Sequence, residues 1–130
     1  MAQPNPAPGY ARHPDHQVLI SAHPKRVRVT FHRRVVAETE HPLIVRESGY
    51  PPVLYIPRGD AVAGVLQPTD HHTHCPFKGD ARYWSLSVEG ETAENAVWAY
   101  DAPYDEAAPL RGHIAFYPDR VDSIEELPLT

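Results

Sequence analysis

One cysteine in the whole chain rules out an internal disulfide, and a structural zinc site normally needs several thiolates. The plain expectation is a cytoplasmic protein with a free thiol. No stretch comes near the roughly 18 apolar residues of a membrane span, and Met1 to Gly9 has neither the basic start nor the apolar centre of a secretory signal, so no membrane partner is expected. A phosphate-cradling glycine loop, a G-x-S-x-G nucleophile elbow and an H-E-x-x-H helix are also missing, which removes the common kinase, hydrolase and metalloprotease chemistries. Basic charge is short as well. Twelve Lys and Arg stand against 17 Asp and Glu, and a net charge of −5 repels phosphate backbones, which argues against nucleic acid as a partner. The deficit is uneven: up to Val65 eight basic residues face five acids, and from Leu66 onward four face twelve, so the halves carry +3 and −8. Halves of opposite sign in one small domain are expected to pair across the fold.

Proline, in contrast, is abundant. Fifteen prolines in 130 residues exceed the usual share of about 5%, and they interrupt the chain so often that only Phe77 to Ala102 could host a long helix. That run reads as strands instead. Val27-Arg28-Val29-Thr30-Phe31 alternates apolar and polar residues, with Val27, Val29 and Phe31 facing inward. His32-Arg33-Arg34 turns the chain, and Val35 to Glu38 returns as the second strand of a hairpin. Leu43 to Glu47 and Val53 to Ile56 form a second pair, closed by a turn at Pro57-Arg58-Gly59-Asp60. Val65-Leu66 is a short strand at most. Tyr83 to Val88 alternates, with Trp84, Leu86 and Val88 on one face and Tyr83, Ser85 and Ser87 on the other. Glu89-Gly90-Glu91 turns, Ala96 to Tyr100 returns, Asp105 to Leu110 offers one helical turn broken at Pro109, and His113 to Tyr117 is the expected final strand.

The fold class expected is all-β. It is a single antiparallel β domain over 25–130, a sandwich or partly closed barrel with one or two short helical turns and one core. A flexible Pro/His-rich lead-in over 1–24 precedes it, with His13, His16 and His23 as scattered candidates for metal binding.

Chemically capable side chains concentrate in Pro68 to Trp84, which carries the only cysteine and three of nine histidines. Cys75 precedes Pro76 and is thereby biased to extended geometry, while Gly79 is free to take a positive φ. A tight Pro76 to Gly79 turn would set Cys75 beside Lys78, and a nearby ammonium moves a thiol toward the reactive range. The competing reading is a small buried cysteine in a turn held by Phe77. His72 and His74, two apart, share a face of an extended segment and with His113 could present three imidazoles to a catalytic zinc. Tyr50, Tyr55, Tyr83, Trp84, Trp98, Tyr100, Tyr104 and Tyr117 are many large rings for so small a domain. Where alternation sets some of them opposite the aliphatic residues, their polar tips would line a ligand pocket, with Glu47 and Asn95 as further polar candidates.

Six separated stretches carry a family resemblance: Arg26-Val27-Arg28-Val29, Glu47-Ser48-Gly49-Tyr50-Pro51-Pro52, Tyr55-Ile56-Pro57-Arg58, Thr73-His74-Cys75-Pro76-Phe77-Lys78-Gly79, Asn95-Ala96-Val97-Trp98 and Ala115-Phe116-Tyr117-Pro118-Asp119. In this order they resemble the small bacterial and fungal proteins grouped as domain of unknown function 427, over about His13 to Leu127. The resemblance implies a mostly β domain in a cytosolic setting with no established activity or cofactor, and it points to Cys75, Lys78, Tyr83, Trp98 and Tyr100 as the residues to test first. Members are sometimes labelled nucleotidyltransferase-like, but the chain lacks the Gly-Ser and paired Asp-x-Asp carboxylates that hold Mg²⁺ and a triphosphate in such enzymes.

Two functional readings stay open. One is a binding module holding a small molecule in an aromatic pocket next to the His71 to Gly79 segment. The other is an enzyme using Cys75, with Lys78 or His74, or a histidine-bound metal.

Overall fold

The computed structural model describes residues 3–129. Met1, Ala2 and Thr130, which the expected lead-in and domain ranges include, lie outside them. Ten strands form two antiparallel sheets: β1 (Val18–Ala22), β2 (Arg26–Phe31), β3 (Arg34–Thr39), β4 (Leu43–Glu47), β5 (Val53–Pro57), β6 (Leu66–Cys75), β7 (Gly79–Val88), β8 (Glu91–Ala99), β9 (His113–Phe116) and β10 (Ser123–Leu127). The larger sheet runs β1-β4-β5-β9-β8-β7-β6 and the smaller β10-β2-β3. The larger sheet is not closed on itself, so the fold is the all-β sandwich of the expected class. Its helical content is one turn, α1 (Gly9–Arg12), and three 3₁₀ turns, Arg58–Asp60, Asp105–Leu110 and Pro118–Arg120. No helix among the described residues is long and apolar enough to cross a membrane.

Turn chemistry sets the hairpins. His32 and Arg33 both take positive φ (49° and 63°), the conformation that fits a two-residue turn to the right-handed twist of β2 and β3. Glu89 and Gly90 (50° and 82°) do the same between β7 and β8. Acidic β10 lies beside basic β2 and Arg34 meets Glu89 across the fold at 2.7 Å, while Arg28 is ion-paired within its own half, with Glu38.

The expectation of one core is corrected. Val27, Val29, Val36 and Ala37 from the smaller sheet pack on Ile56, Trp84, Leu86, Val97, Ile114 and Phe116 from one face of the larger. A second cluster lies on the opposite face: Val45, Tyr55, Ala81, Tyr83, Tyr100 and Ala115, closed by Ala107 and Leu110 of the 3₁₀ turn. Strand alternation is the cause. Tyr83 and Trp84, or Ile114 and Ala115, are consecutive and both buried, so β7 and β9 bury both faces. Each wholly buried aliphatic side chain adds roughly 1.5–3 kcal/mol.

Three stretches differ from their expected form. Leu66–Cys75 is one ten-residue strand with a register shift between Pro68 and His72, where the sequence offered only Val65-Leu66. His113–Phe116 is not the final strand, because β10 follows and pairs with β2. Residues 3–24 are joined to the domain: β1 pairs with β4, the Gly9 N–H donates to the Pro76 carbonyl at 2.9 Å, and the Ala7 N–H donates to the Glu106 carboxylate at 2.8 Å. Its polar composition hides this, since these ties are mainly backbone hydrogen bonds that any residue can make.

Candidate functional site

A cavity of about 260 Å³ opens on the second-cluster face of the larger sheet. Strand period places its walls. Val45 and Glu47 come from β4, Val53 and Tyr55 from β5, and Tyr83 and Trp98 from β7 and β8. Tyr100 and Tyr117 follow the ends of β8 and β9, while Tyr50 and Pro51 reach in from the β4–β5 loop. Cys75 and Lys78 close the remaining side from the β6–β7 turn.

The ring tips form a partly satisfied polar lining. The Trp98 indole N–H donates to the Tyr55 hydroxyl at 3.1 Å, the Thr73 and Tyr83 hydroxyls meet at 2.9 Å, and those of Tyr83 and Tyr117 meet at 3.3 Å. Tyr100 is different. It is only 7% exposed and lines the cavity, and it takes no part in these three hydrogen bonds. Burial pushes the Tyr55 and Tyr100 hydroxyls well above the ordinary tyrosine range, and burial together with the Tyr83 hydroxyl pushes Tyr117 up to about 12. These phenols are therefore neutral donors at ordinary pH.

One corner is ionic. The Lys78 ammonium, with its side chain 9% exposed, is paired with Oε1 of Glu47, and Nε2 of His16 lies 2.8 Å from Oε2 of the same carboxylate. Lys78 Nζ is also 3.8 Å from Cys75 Sγ. The turn creates this proximity: the Lys78 N–H donates back to the Cys75 carbonyl at 3.3 Å, and Gly79 at φ +125° starts β7 where an added Cβ would stand 3.4 Å from the backbone of Ala102 and Pro103. Beneath, Phe77 is stacked by the His16 ring at 4.0 Å and met edge-on by Tyr10 at 5.0 Å. Gly9 permits that cover, because a Cβ there would stand 2.6 Å from the Phe77 ring.

The sequence-derived candidates thus separate. Glu47, Tyr55, Tyr83, Trp98, Tyr100, Cys75 and Lys78 meet at the cavity. Asn95 does not. It sits at φ 50° in β8, its side-chain oxygen accepts from the Thr69 hydroxyl at 2.7 Å, and its N–H donates to Ser85 Oγ at 3.0 Å. His74 points to the face opposite Thr73 and Cys75, where its Nδ1 lies 2.6 Å from Asp80. It cannot act as a base toward Cys75 from there. His72 shares that outer face with His74, and His113, whose Nδ1–H donates to the Arg111 carbonyl at 3.1 Å, is not among the residues around them. No three His, Cys, Asp or Glu side chains among the described residues form a ligand set for a metal ion. His16 and His23 are taken up separately, by Glu47 and by Glu126. Trp84 lies on the other face of β7, with the guanidiniums of Arg82 and Arg58 at 4.2 and 5.3 Å from its ring.

Sequence reasoning missed His16 as a partner of Glu47, and the only hint was its place in a histidine-rich lead-in. Val45 and Val53 were legible as strand residues without any sign that they face a cavity.

The family described as Domain of unknown function (DUF427) matches residues 19–127. The chain belongs to this family. No curated protein matches it. Every cavity residue of this DUF427 domain falls inside the matched range, whereas Gly9, Tyr10 and His16, which cover Phe77 and Glu47, precede it.

Proposed function

We propose that this DUF427 domain is a small-molecule-binding module whose ligand occupies the tyrosine-lined cavity. The observation that carries the reading is the Tyr100 hydroxyl, which lines the cavity outside the hydrogen bonds that join Tyr55 to Trp98 and Tyr83 to Thr73 and Tyr117. A neutral phenol on the wall of a largely apolar cavity is a donor placed for a ligand's acceptor, which fixes the orientation of the bound molecule. The lining favours a flat, uncharged molecule with a hydrogen-bond acceptor: six aromatic side chains supply faces, and the single ammonium and the single carboxylate neutralise each other. The cavity lies just under the ordinary ligand-site range of roughly 300–1,000 Å³, which fits a small ligand. The net charge of −5 disfavours nucleic acid, and the lone free cysteine favours a cytoplasmic setting.

Isothermal titration of a panel of phenols, pyridines and small amides against wild type and Tyr100→Phe tests the reading. At least one class binds, and the variant binds it several-fold more weakly, because one hydrogen bond contributes about 1 kcal/mol. Equal affinity in the two proteins would remove Tyr100 as the anchor and the reading with it.

A second reading, an enzyme with Cys75 as nucleophile, is favoured by one distance, the 3.8 Å between Lys78 Nζ and Cys75 Sγ on the wall of the same cavity.

A further inference from the structure

A second depression, of about 470 Å³, adjoins the tyrosine cavity and shares Tyr50, Pro51, Val53, Trp98 and Tyr117 with it. Beyond that shared wall its lining is Pro52, Leu54, Phe116, Pro118 and Ile124, with no charged side chain. The Trp98 and Tyr117 rings, 4.5 Å apart between centroids, stand where the two spaces join. One continuous surface therefore changes character along its length, from phenol tips around Tyr100 to bare hydrocarbon around Pro118 and Ile124. Isolated apolar residues on a surface are ordinary, but a concave apolar groove running out of a polar cavity is a shape that a ligand with two ends would fill.

Resting on the cavity reading above, we propose that the ligand is an uncharged amphiphile. Its polar, planar head sits in the tyrosine cavity with an acceptor on the Tyr100 hydroxyl, and its hydrocarbon tail lies in the Pro52–Ile124 groove. Charge balance excludes a fatty acid as the best fit: the Lys78 ammonium is already paired with Glu47, and among the described residues no other cation lines either space. A hydrocarbon tail is favoured over a polar one because the groove offers almost nothing to bond.

A series of 4-alkylphenols with tails from one to eight carbons, titrated calorimetrically into the full chain, tests this. Affinity rises by a factor of roughly four for each methylene until the groove is filled, as apolar transfer requires. Pro118→Asp sets a carboxylate in the groove at an exposed position, so it flattens the chain-length dependence. If Pro118→Asp lowers the melting temperature, Pro52→Asp on the other loop makes the same measurement. Tyr100→Phe weakens every member by the same factor. A flat series in wild type, or chain dependence that survives both aspartates, overturns the groove assignment and leaves the cavity reading standing if Tyr100→Phe still weakens binding. Chain dependence that ignores Tyr100→Phe overturns the amphiphile and the cavity reading together, as does a series in which no member binds.

Discussion

Glu47 grips Lys78 with one carboxylate oxygen and faces His16 Nε2 with the other, so a single side chain ties β4 to the β6–β7 turn and to the segment before β1. Both ends of the pair are largely buried, at 12% and 9% side-chain exposure. Removing one partner strands the other in a poorly solvated site, which costs about 3–5 kcal/mol, whereas replacing both with apolar groups of similar size is near neutral. Glu47→Ala is therefore expected to lose stability in that range, and Glu47→Leu with Lys78→Met to lose much less than the two single changes together. Urea melts of the three variants check this, and additive losses would mean that the pair is solvated.

Alkaline pH should weaken the fold through the buried phenols. Tyr55 and Tyr100 have an unfolded value of 10.0 and a raised folded one, so the unfolded chain releases protons first. Their contribution is whole below pH 10 and is lost as pH rises toward the folded values, at about 1.4 kcal/mol per pH unit for each tyrosine. Stability measured in urea between pH 9 and 11.5 should fall steeply, and Tyr100→Phe should fall less steeply than wild type. Parallel curves for the two proteins would show that Tyr100 ionises as freely in the fold as out of it.

Much of the sandwich could be read from alternation. Val27, Val29, Trp84, Leu86 and Val88 announce one buried face each, and they meet in the core between the sheets. What alternation cannot announce is a strand buried on neither side. Leu66–Cys75 is mostly exposed and polar, and it is a strand because β7 pairs with it, the bulge after Pro68 absorbing the residues that do not fit. β10, with Ser, Glu and Glu among its five residues, was hidden for the same reason and is held by β2.

Gly79 offers a sharper test of the turn that builds the ionic corner. At φ +125° it occupies backbone space that L residues avoid, and an added Cβ would stand 3.4 Å from the Ala102 carbonyl oxygen and the Pro103 Cα. Gly79→Ala is expected to cost about 1–3 kcal/mol and to pull the Cys75 to Lys78 turn out of register, whereas Gly90→Ala, with open space around its Cβ, carries only the positive-φ strain. Thermal melts compare them. A Gly79 loss no larger than that at Gly90 would show that the turn yields without strain.

The candidate site was legible to the extent that it depends on strand period. Tyr55, Tyr83 and Trp98 share a face because each sits at the right parity on its strand, and Tyr100, just past the end of β8, keeps the parity of Trp98. Asn95, expected just before its strand, lies inside β8 in a left-handed conformation and turns to Thr69, and the two faces of β6 separate His74 from Cys75. The partnership of Glu47 with His16 spans 31 residues and rests on how α1 seats against Phe77, which no local pattern encodes.

Cys75 decides between a module that only binds and one that also reacts. Its sulfur is half-buried on the cavity wall and 3.8 Å from an ammonium that Glu47 partly neutralises. A thiolate is the attacking species, and a cation beside it favours that form. Lys78→Met should therefore slow alkylation by iodoacetamide at neutral pH a few-fold, and Glu47→Gln, which leaves the ammonium unopposed, should speed it. The opposite signs are the test, because a general loosening of the fold would speed both. Packing makes a different forecast: Cys75 would react only at the rate of global unfolding, both variants would follow their stabilities, and Cys75→Ala would cost on the order of 1 kcal/mol through a small cavity. Alkylation followed by mass spectrometry against pH, with unfolding rates measured alongside, separates the two. A thiol that resists reagent wherever the fold persists would end the nucleophile reading and leave the cavity as a binding site alone.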